Sequence, residues 1–273
     1  MNQRMRNKIA GAIYGFAIGD AMGATTEFMT AEQIQKEYGQ VTDIIGGGWL
    51  ELHPGEITDD TQMTMCVMNA IMRKPKDPDR FIKNCESNFI TWVNSKPKDI
   101  GAQCARAIHG LMFGKKTSID NHALGNGSLM RAMPLAVLNL PFHNILQGRI
   151  THNNQQCSDI ILKYSGLIQD YLNDKMVYKY TDKTKGLLEP TGYIVNTFNN
   201  SVVWSASDSF EEAIIGAVNH GGDADTIAAI TGSLAGARFG YDVIPERRIN
   251  QLNPEVKKYL EKFKNFTFSY LQI

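Results

Sequence analysis

The sequence has no surplus of charge of either sign, since 28 lysines and arginines balance 28 aspartates and glutamates. A general nucleic-acid-binding protein needs an excess of basic side chains to neutralise phosphates, so this balance argues against a nucleic-acid partner. A hydrophobic fraction of 43% and a charged fraction of 21% are typical of a globular protein. A chain of 273 residues can bury a large core without disulfide or metal staples.

Cysteine is scarce, and long apolar runs are lacking. The cysteines are Cys66, Cys85, Cys104 and Cys157. None lies in a CxxC pair, which argues against a zinc ribbon or a redox pair, and dispersed thiols fit a reducing compartment. No run of about 18 apolar residues predicts a membrane span. Basic residues precede the apolar stretch 9–19 as in a signal peptide, but glycines interrupt that stretch at helical spacing, so we expect a cytoplasmic protein.

Apolar residues recur at helical spacing along most of the chain, and clean strand alternation is absent. The segments with this pattern are residues 61–73, 81–93, 130–140, 158–172, 194–204 and 210–219. No segment has the composition of an interdomain linker, and there is no internal repeat. We therefore predict an all-α fold, with residues 1–273 forming a single compact multi-helix domain.

Glycines also recur at helical spacing, in two places far apart in the chain. They are Gly11, Gly15 and Gly19 near the start, and Gly232, Gly236 and Gly240 near the end. A glycine inside a helix costs roughly 1 kcal/mol relative to alanine. Its repetition on one face predicts that two helices pack backbone to backbone in the centre of the fold.

Two acidic clusters each precede an apolar helix. One is Thr58-Asp59-Asp60-Thr61, and the other ends in Asp223-Ala224-Asp225-Thr226. A single carboxylate at this position would be explained by helix capping. Two in each cluster repel one another unless cations lie between them, and oxygen ligands without Cys or His favour Mg²⁺ or Mn²⁺ over zinc. Glu27 could add a further carboxylate. A pair of bound metal ions is therefore an alternative to helix capping as the explanation of the two acidic clusters.

Four motifs occur in a fixed order. They are residues 15–23 (GFAIGDAMG), 58–61 (TDDT), 125–131 (GNGSLMR) and 221–226 (GGDADT). In sequence and order they resemble the ADP-ribosylglycohydrolase family. Further segments, among them residues 46–50 (GGGWL) and 96–101 (KPKDIG), are most similar to the branch of that family that acts on dinitrogenase reductase.

The resemblance implies an all-α fold with a central binuclear Mn²⁺ or Mg²⁺ site. It also implies hydrolysis of the bond between ADP-ribose and a protein side chain, which is arginine in the most similar branch. The implied metal ligands are Thr58, Asp59, Asp60, Asp223, Asp225 and Thr226. The implied catalytic carboxylates are Asp99 and Glu27, without a division of roles between them.

The resemblance further implies how the substrate is held. The implied diphosphate loop consists of Gly125, Asn126, Gly127 and Ser128, with His152 and Tyr193 near the ligand. The implied partner is an ADP-ribosylated protein, either dinitrogenase reductase or another arginine-modified target, and the implied oligomeric state is a monomer. Ala102, residues 154–157 and His220 depart from the pattern of the most similar branch, and these departures concern ligand fit rather than the reaction.

Other interpretations stay open at this point. The chain could be a catalytically silent ADP-ribose-binding relative, or a hydrolase of serine-linked or free ADP-ribosyl compounds. Residues 125–127 could form a plain turn. Asp99 could be the N-cap of a helix running through Cys104 to Leu111.

Overall fold

A computed structural model describes residues 3–73, 77–175 and 186–273. These residues form thirteen α-helices and a single 3₁₀ turn, Asn126–Ser128, and contain no strand. The helices are α1 (Gln3–Gly23), α2 (Ala31–Tyr38), α3 (Asp59–Met72), α4 (Pro78–Asn94), α5 (Ala102–Met112), α6 (Met133–Val137), α7 (Pro141–Arg149), α8 (Gln155–Leu172), α9 (Ile194–Ser205), α10 (Phe210–His220), α11 (Ala224–Phe239), α12 (Glu246–Gln251) and α13 (Pro254–Tyr270). The prediction of an all-α fold is confirmed.

Helices α1 and α11 form the centre of the fold as an antiparallel pair. A Cβ added to Gly15 would lie 2.2 Å from the carbonyl oxygen of Gly232, and one added to Gly232 would lie 2.0 Å from that of Gly15. Gly11 approaches Gly236 in the same way. Only glycine permits such contacts, so the predicted backbone-to-backbone packing is confirmed.

The second glycine series ends earlier than the spacing predicts. Gly240 follows the last residue of α11 and has a φ of 96°, so it terminates the helix instead of packing along it. The close contact continues at the other end of the pair, where Gly19 meets the backbone of Ala228 and Gly23 meets that of Ala224. The two helices are therefore in backbone contact over four successive turns.

The other helices bury this pair in one large apolar cluster. Helices α9 and α10 pack beside α11, α3 packs on α4, and α7 packs on α8. Most predicted helices are present, with ends shifted by a few residues. The exception is 130–140, where only Met133–Val137 is α-helical, because Pro134 lies in the first turn, the position in a helix that tolerates proline best. None of the described helices is long and apolar enough to cross a membrane.

The packing brings three helix ends together. Gly23, the last residue of α1, lies against Ala224, the first residue of α11. Asp20, one turn earlier in α1, is hydrogen-bonded to Thr58 and Thr61 at the start of α3. The C-terminal end of α1 thus meets the N-terminal ends of α3 and α11, which carry the two acidic clusters.

Candidate metal centre

Asp20 fixes the first acidic cluster against α1. Its carboxylate is fully buried and accepts hydrogen bonds from the backbone N–H of Thr58 at 3.1 Å, the hydroxyl of Thr58 at 2.9 Å and the backbone N–H of Thr61 at 3.0 Å. Asp20 lies in the first of the four sequence motifs, which alone predicts no role for it. A lone carboxylate in an otherwise apolar helix is the signal that could have identified it.

Thr58, rather than a carboxylate, caps α3. Its hydroxyl accepts a hydrogen bond from the backbone N–H of Asp60 at 3.3 Å. Asp59 and Asp60 are consequently free of capping and point away from the helix start. Oδ2 of Asp59 accepts from the backbone N–H of Gly101 at 3.4 Å, and Oδ1 of Asp60 is buried with no hydrogen-bond partner among the described residues. Capping therefore accounts for Thr58 of this cluster but not for its two carboxylates.

In the second cluster, the carboxylate at the N-cap position is likewise not used for capping. Asp223 occupies the N-cap position of α11 but makes no side-chain capping bond. Its Oδ2 instead accepts a hydrogen bond of 2.5 Å from the side-chain amide of Asn126. Asp225 is buried in the first turn of α11, and the neighbouring Thr226 hydroxyl donates to Oδ2 of Asp60 at 3.2 Å.

The two clusters and Glu27 converge into two overlapping groups. Asp59, Asp60 and Asp225 each place a carboxylate oxygen within 4.8 Å of the others, and so do Glu27, Asp223 and Asp225. Asp225 belongs to both groups. Oxygen-only donors with an orphaned buried oxygen on Asp60 fit hard divalent cations, so the residues present fit the predicted pair of ions.

The electrostatics agree with a cation-binding role. Burial raises the pKa of Asp59, Asp60 and Asp225 well above the usual range, and the neighbouring carboxylates raise it further. Burial likewise raises the pKa of Asp223 to about 6. A neighbouring positive charge would stabilise the ionised form of each carboxylate. None of the described residues on the cavity wall is a lysine or an arginine that could supply it.

Glu27 lies just beyond α1 and is held from outside the cluster. The indole N–H of Trp49 donates to its Oε2 at 2.6 Å. Burial raises the pKa of Glu27 to about 8, the Trp49 hydrogen bond opposes the rise, and the charges of Asp223, Asp99 and Asp20 add to it. The sequence does not predict this hydrogen bond between Trp49 and Glu27, although the segment 46–50 (GGGWL) is one of those that resemble the family.

Asp99 faces the same cluster from the segment between α4 and α5. The N-cap of α5 is Gly101, which makes no side-chain capping bond, so the alternative of Asp99 as a helix cap is wrong. Asp99 raises the pKa of Asp59 by its charge, and burial raises its own pKa. It is therefore a carboxylate on the wall of the site.

These groups surround a cavity of about 230 Å³. The predicted site residues on its wall are Glu27, Asp59, Asp60, Asp99, Gly125, Asn126, Gly127, His152, Asp223, Asp225 and Thr226. Three others are not on the wall. Thr58 lies behind Asp60, Ser128 is fully buried, and the half-exposed Tyr193 pairs its backbone with Gly125 and accepts a hydrogen bond from Gln156 through its hydroxyl.

Arg131 supports the glycine loop from beneath. This fully buried guanidinium donates to the carbonyl of Gly127, and to the hydroxyl of Thr151 at 2.7 Å. That hydroxyl lies 2.8 Å from Nδ1 of His152. Burial, together with the charge of Arg131, lowers the pKa of His152 to about 3, so the imidazole facing the cavity is neutral. The loop is therefore a 3₁₀ turn that the hydrogen bonds of Arg131 support, not an isolated plain turn.

Comparisons with known proteins agree with the sequence motifs. The sequence profile of the family described as ADP-ribosylglycohydrolase matches residues 1–269. ADP-ribosyl-[dinitrogen reductase] glycohydrolase of Rhodospirillum rubrum is 33% identical over 282 residues, covering 94% of each chain. An ADP-ribosylarginine hydrolase of Pseudomonas putida is 28% identical, covering 90% of this chain and 74% of its own. A solved structure described as an ADP-ribosylglycohydrolase-related protein complex superposes with a TM-score of 0.82 at 26% identity, covering 99% of both chains.

Proposed function

The chain belongs to the ADP-ribosylglycohydrolase family, and we propose that it hydrolyses the N-glycosidic bond between ADP-ribose and an arginine side chain of a modified protein. The observation that carries this proposal is the convergence of carboxylates from three helix ends on one cavity. The name of the Pseudomonas putida relative, an ADP-ribosylarginine hydrolase, supports arginine as the linkage.

We propose that two divalent cations, Mn²⁺ or Mg²⁺, are the cofactors. The first cation would be held by the carboxylates of Asp59, Asp60 and Asp225. The second would be held by the carboxylates of Glu27, Asp223 and Asp225. The Thr226 hydroxyl donates to the carboxylate of Asp60, and the Thr58 hydroxyl accepts from the backbone N–H of Asp60; both hydroxyls complete the proposed ligand set. When bound, such ions supply positive charge that orients sugar hydroxyls and polarises water.

In the proposed reaction, the oxygen of water forms a bond to the anomeric carbon of the ribose as the bond from that carbon to the guanidine nitrogen breaks. The departing guanidine takes up a proton, and the products are ADP-ribose and unmodified arginine. Positive charge develops on the sugar ring during cleavage, as in glycoside hydrolysis generally. Asp99 and Glu27 are the proposed catalytic carboxylates, since both face the cavity and can stabilise this charge or accept the proton of water.

The proposed diphosphate site uses the backbone and a neutral ring instead of cationic side chains. Gly125, Asn126 and Gly127 line the cavity, and small residues let backbone N–H groups approach an anion. His152 lies against this loop and can donate a hydrogen bond through Nε2 without adding charge. Ser128 and Tyr193 would act from behind the wall, by supporting the loop.

We further propose that the target is dinitrogenase reductase or another arginine-modified protein, that residues 1–273 form one domain, and that the enzyme works as a monomer in the cytoplasm. The alternatives are a hydrolase of serine-linked or free ADP-ribosyl compounds and a silent binding protein. The intact set of acidic residues argues against a silent relative, because ligand binding alone does not require all of them together.

One experiment separates these possibilities. Arginine-modified and serine-modified proteins are incubated with the enzyme, with Mn²⁺ or with chelator, and released ADP-ribose is measured by chromatography. Metal-dependent release from the arginine substrate is the expected result. Release from the serine substrate alone would favour the O-linked hydrolase, and binding of ADP-ribose without release from either would favour the silent relative.

A further inference from the structure

Two large aromatic side chains lie exposed beside the cavity. The side chain of Phe28 is 66% exposed and that of Trp49 is 50% exposed. Their ring centroids are 5.4 Å apart and their planes are inclined by 46°. Phe28 lines the cavity, and it also lines a neighbouring groove of about 730 Å³ beside α2. Phe28 therefore borders both the cavity with the carboxylate cluster and this groove, and Trp49 contacts its ring.

The backbone of Phe28 is held in a conformation that bulky residues rarely adopt. Its φ is 63°, in the left-handed region, which costs of order 1 kcal/mol or more for a residue with a large side chain. Two backbone hydrogen bonds fix it there: the N–H of Phe28 donates to Gly222 at 2.7 Å, and the N–H of Gly222 donates to Met29 at 2.8 Å. The exposed ring gains little from burial, so packing does not account for a phenylalanine at this strained position.

Trp49 is brought to the same place by a different loop. Gly46, Gly47 and Gly48 all have positive φ values, and a Cβ added to Gly48 would lie 2.2 Å from the carbonyl oxygen of Ala24. This close approach places the indole beside the residues that follow α1. Trp49 then makes two contacts, a hydrogen bond to Glu27 and a ring contact with Phe28.

The charge around the pair favours a cation. Trp49 is hydrogen-bonded to Glu27, and Phe28 shares the cavity wall with Asp99 and Asp223, so acidic groups surround the pair. Guanidinium groups stack on aromatic rings elsewhere in the chain, as Arg6 does on Phe268 and Arg238 on Phe239. In residues 3–73, 77–175 and 186–273, no lysine or arginine stacks on Phe28 or Trp49, so these ring faces are open to a cation from outside.

We propose that Phe28 and Trp49 form the receptor for the guanidinium of the modified arginine, the leaving group of the reaction, and so set a preference for arginine over serine. The proposal rests on the proposed function. A guanidinium is planar, cationic and weakly hydrated, so it stacks on aromatic faces, whereas a serine hydroxyl is neutral and too small to do so. Phe28 supplies a ring at the cavity wall, and Trp49 supplies a second ring and positions Glu27.

The test separates the contribution of the leaving group to turnover from the binding of the ADP-ribose moiety. Turnover is followed with an ADP-ribosylarginine substrate in Mn²⁺, and binding of free ADP-ribose, which lacks the leaving group, is followed by calorimetry. We expect Phe28→Ala to lower kcat/KM for ADP-ribosylarginine by about 5- to 30-fold, the range of a cation–π contact. Binding of free ADP-ribose should change less than twofold, and Phe28→Tyr should restore kcat/KM.

Trp49 is tested by its two contacts. Trp49→Phe keeps a ring but removes the N–H that holds Glu27, so kcat should fall roughly tenfold while KM stays nearly constant. Trp49→Ala should lower kcat and raise KM together. The matched control is Phe113→Ala, because Phe113 is 81% exposed at the end of α5 and does not line the cavity.

The outcomes distinguish this inference from the function on which it rests. A wild-type enzyme that releases nothing from ADP-ribosylarginine overturns both. A wild-type enzyme that is active, with Phe28→Ala equal to it, overturns the inference alone. If Phe28→Ala weakens free ADP-ribose binding as much as it lowers kcat/KM, the pair contacts the nucleotide moiety and the assignment to the guanidinium is wrong.

Discussion

The hydroxyl of Thr226 donates a hydrogen bond of 3.2 Å to Oδ2 of Asp60, joining the first turns of α11 and α3 across 166 residues of sequence. This bond links the two acidic clusters. It leaves Oδ1 of Asp60 buried and without a hydrogen-bond partner among the described residues, an arrangement that a divalent cation would satisfy.

Removal of metal should abolish turnover and leave the helices formed. The buried carboxylates repel one another without a cation, but the apolar core and the contact between α1 and α11 do not involve the ions. Turnover and far-ultraviolet circular dichroism are measured before and after exhaustive chelation, and again after Mn²⁺ is restored. Full activity in rigorously metal-free protein would contradict the binuclear proposal.

Asp225→Asn should lose more metal than Asp60→Asn, because Asp225 belongs to both carboxylate groups and Asp60 to only one. An amide replaces an anionic ligand poorly, so both variants should lose activity by orders of magnitude at limiting Mn²⁺. Metal content per chain, measured by mass spectrometry after gel filtration, checks the order. Near wild-type turnover in either variant at limiting Mn²⁺ would remove that residue from the ligand set.

The stability of the metal-free protein should fall as pH rises. The carboxyls of Glu27 and Asp223 have pKa values of about 8 and about 6 in the folded protein, against ordinary values of 4.5 and 3.8. Between these limits the unfolded chain binds fewer protons than the folded one, so each unit of pH lowers the free energy of unfolding. Stability is fully present near pH 4 and declines up to about pH 8.

Thermal unfolding at pH 5, 6.5 and 8 checks this dependence, with chelator and with saturating Mn²⁺. Bound cations replace the protons, so the difference in Tm between loaded and metal-free protein should grow with pH. Glu27→Gln is the matched variant, and it should flatten the decline between pH 6.5 and 8 in the metal-free state. A difference that stays constant from pH 5 to 8 would contradict the prediction.

Asp99→Asn should slow turnover without changing stability. Asp99 does not cap α5, so the substitution removes a charge at the cavity wall without removing a helix cap. We expect a loss in kcat of about 10²-fold or more if Asp99 is a base or a charge stabiliser. Metal content and Tm serve as controls. Unchanged kcat with normal metal content would assign the catalytic work to Glu27.

Gly127→Val should impair substrate binding. A Cβ at Gly127 would lie 2.8 Å from Sγ of Cys104 and 3.0 Å from Cε1 of His152, so even the first added carbon crowds the ring. The displaced loop should raise KM for ADP-ribosylated substrate roughly tenfold or more, whereas Ser128→Ala should have a milder effect. An unchanged KM in Gly127→Val would mean that this loop lies away from the ligand.

The helices and the central contact were predictable because their signals are local and periodic. The four motifs predicted the family for the same reason, as residue types at fixed spacing. Contacts that depend on how separate segments approach one another were not predictable. The sequence separation of Trp49 and Glu27 does not predict the hydrogen bond between them. Arg131 lies in a segment with an apolar helical pattern, and only the folded structure shows that its guanidinium supports the glycine loop. Asp20 stands out in the sequence as a carboxylate in an apolar segment, but its hydrogen bonds depend on where α3 begins.

The backbone contact between Gly15 and Gly232 also has a consequence for how the site responds to change elsewhere. Because main-chain atoms make this contact, no change of side-chain size or rotamer at these glycines sets the distance between the two helices. The offset between Gly23 at the end of α1 and Ala224 at the start of α11 is thus fixed by the backbone. Apolar residues elsewhere in the core can therefore diverge while the two helix ends that carry the acidic groups keep their relative position.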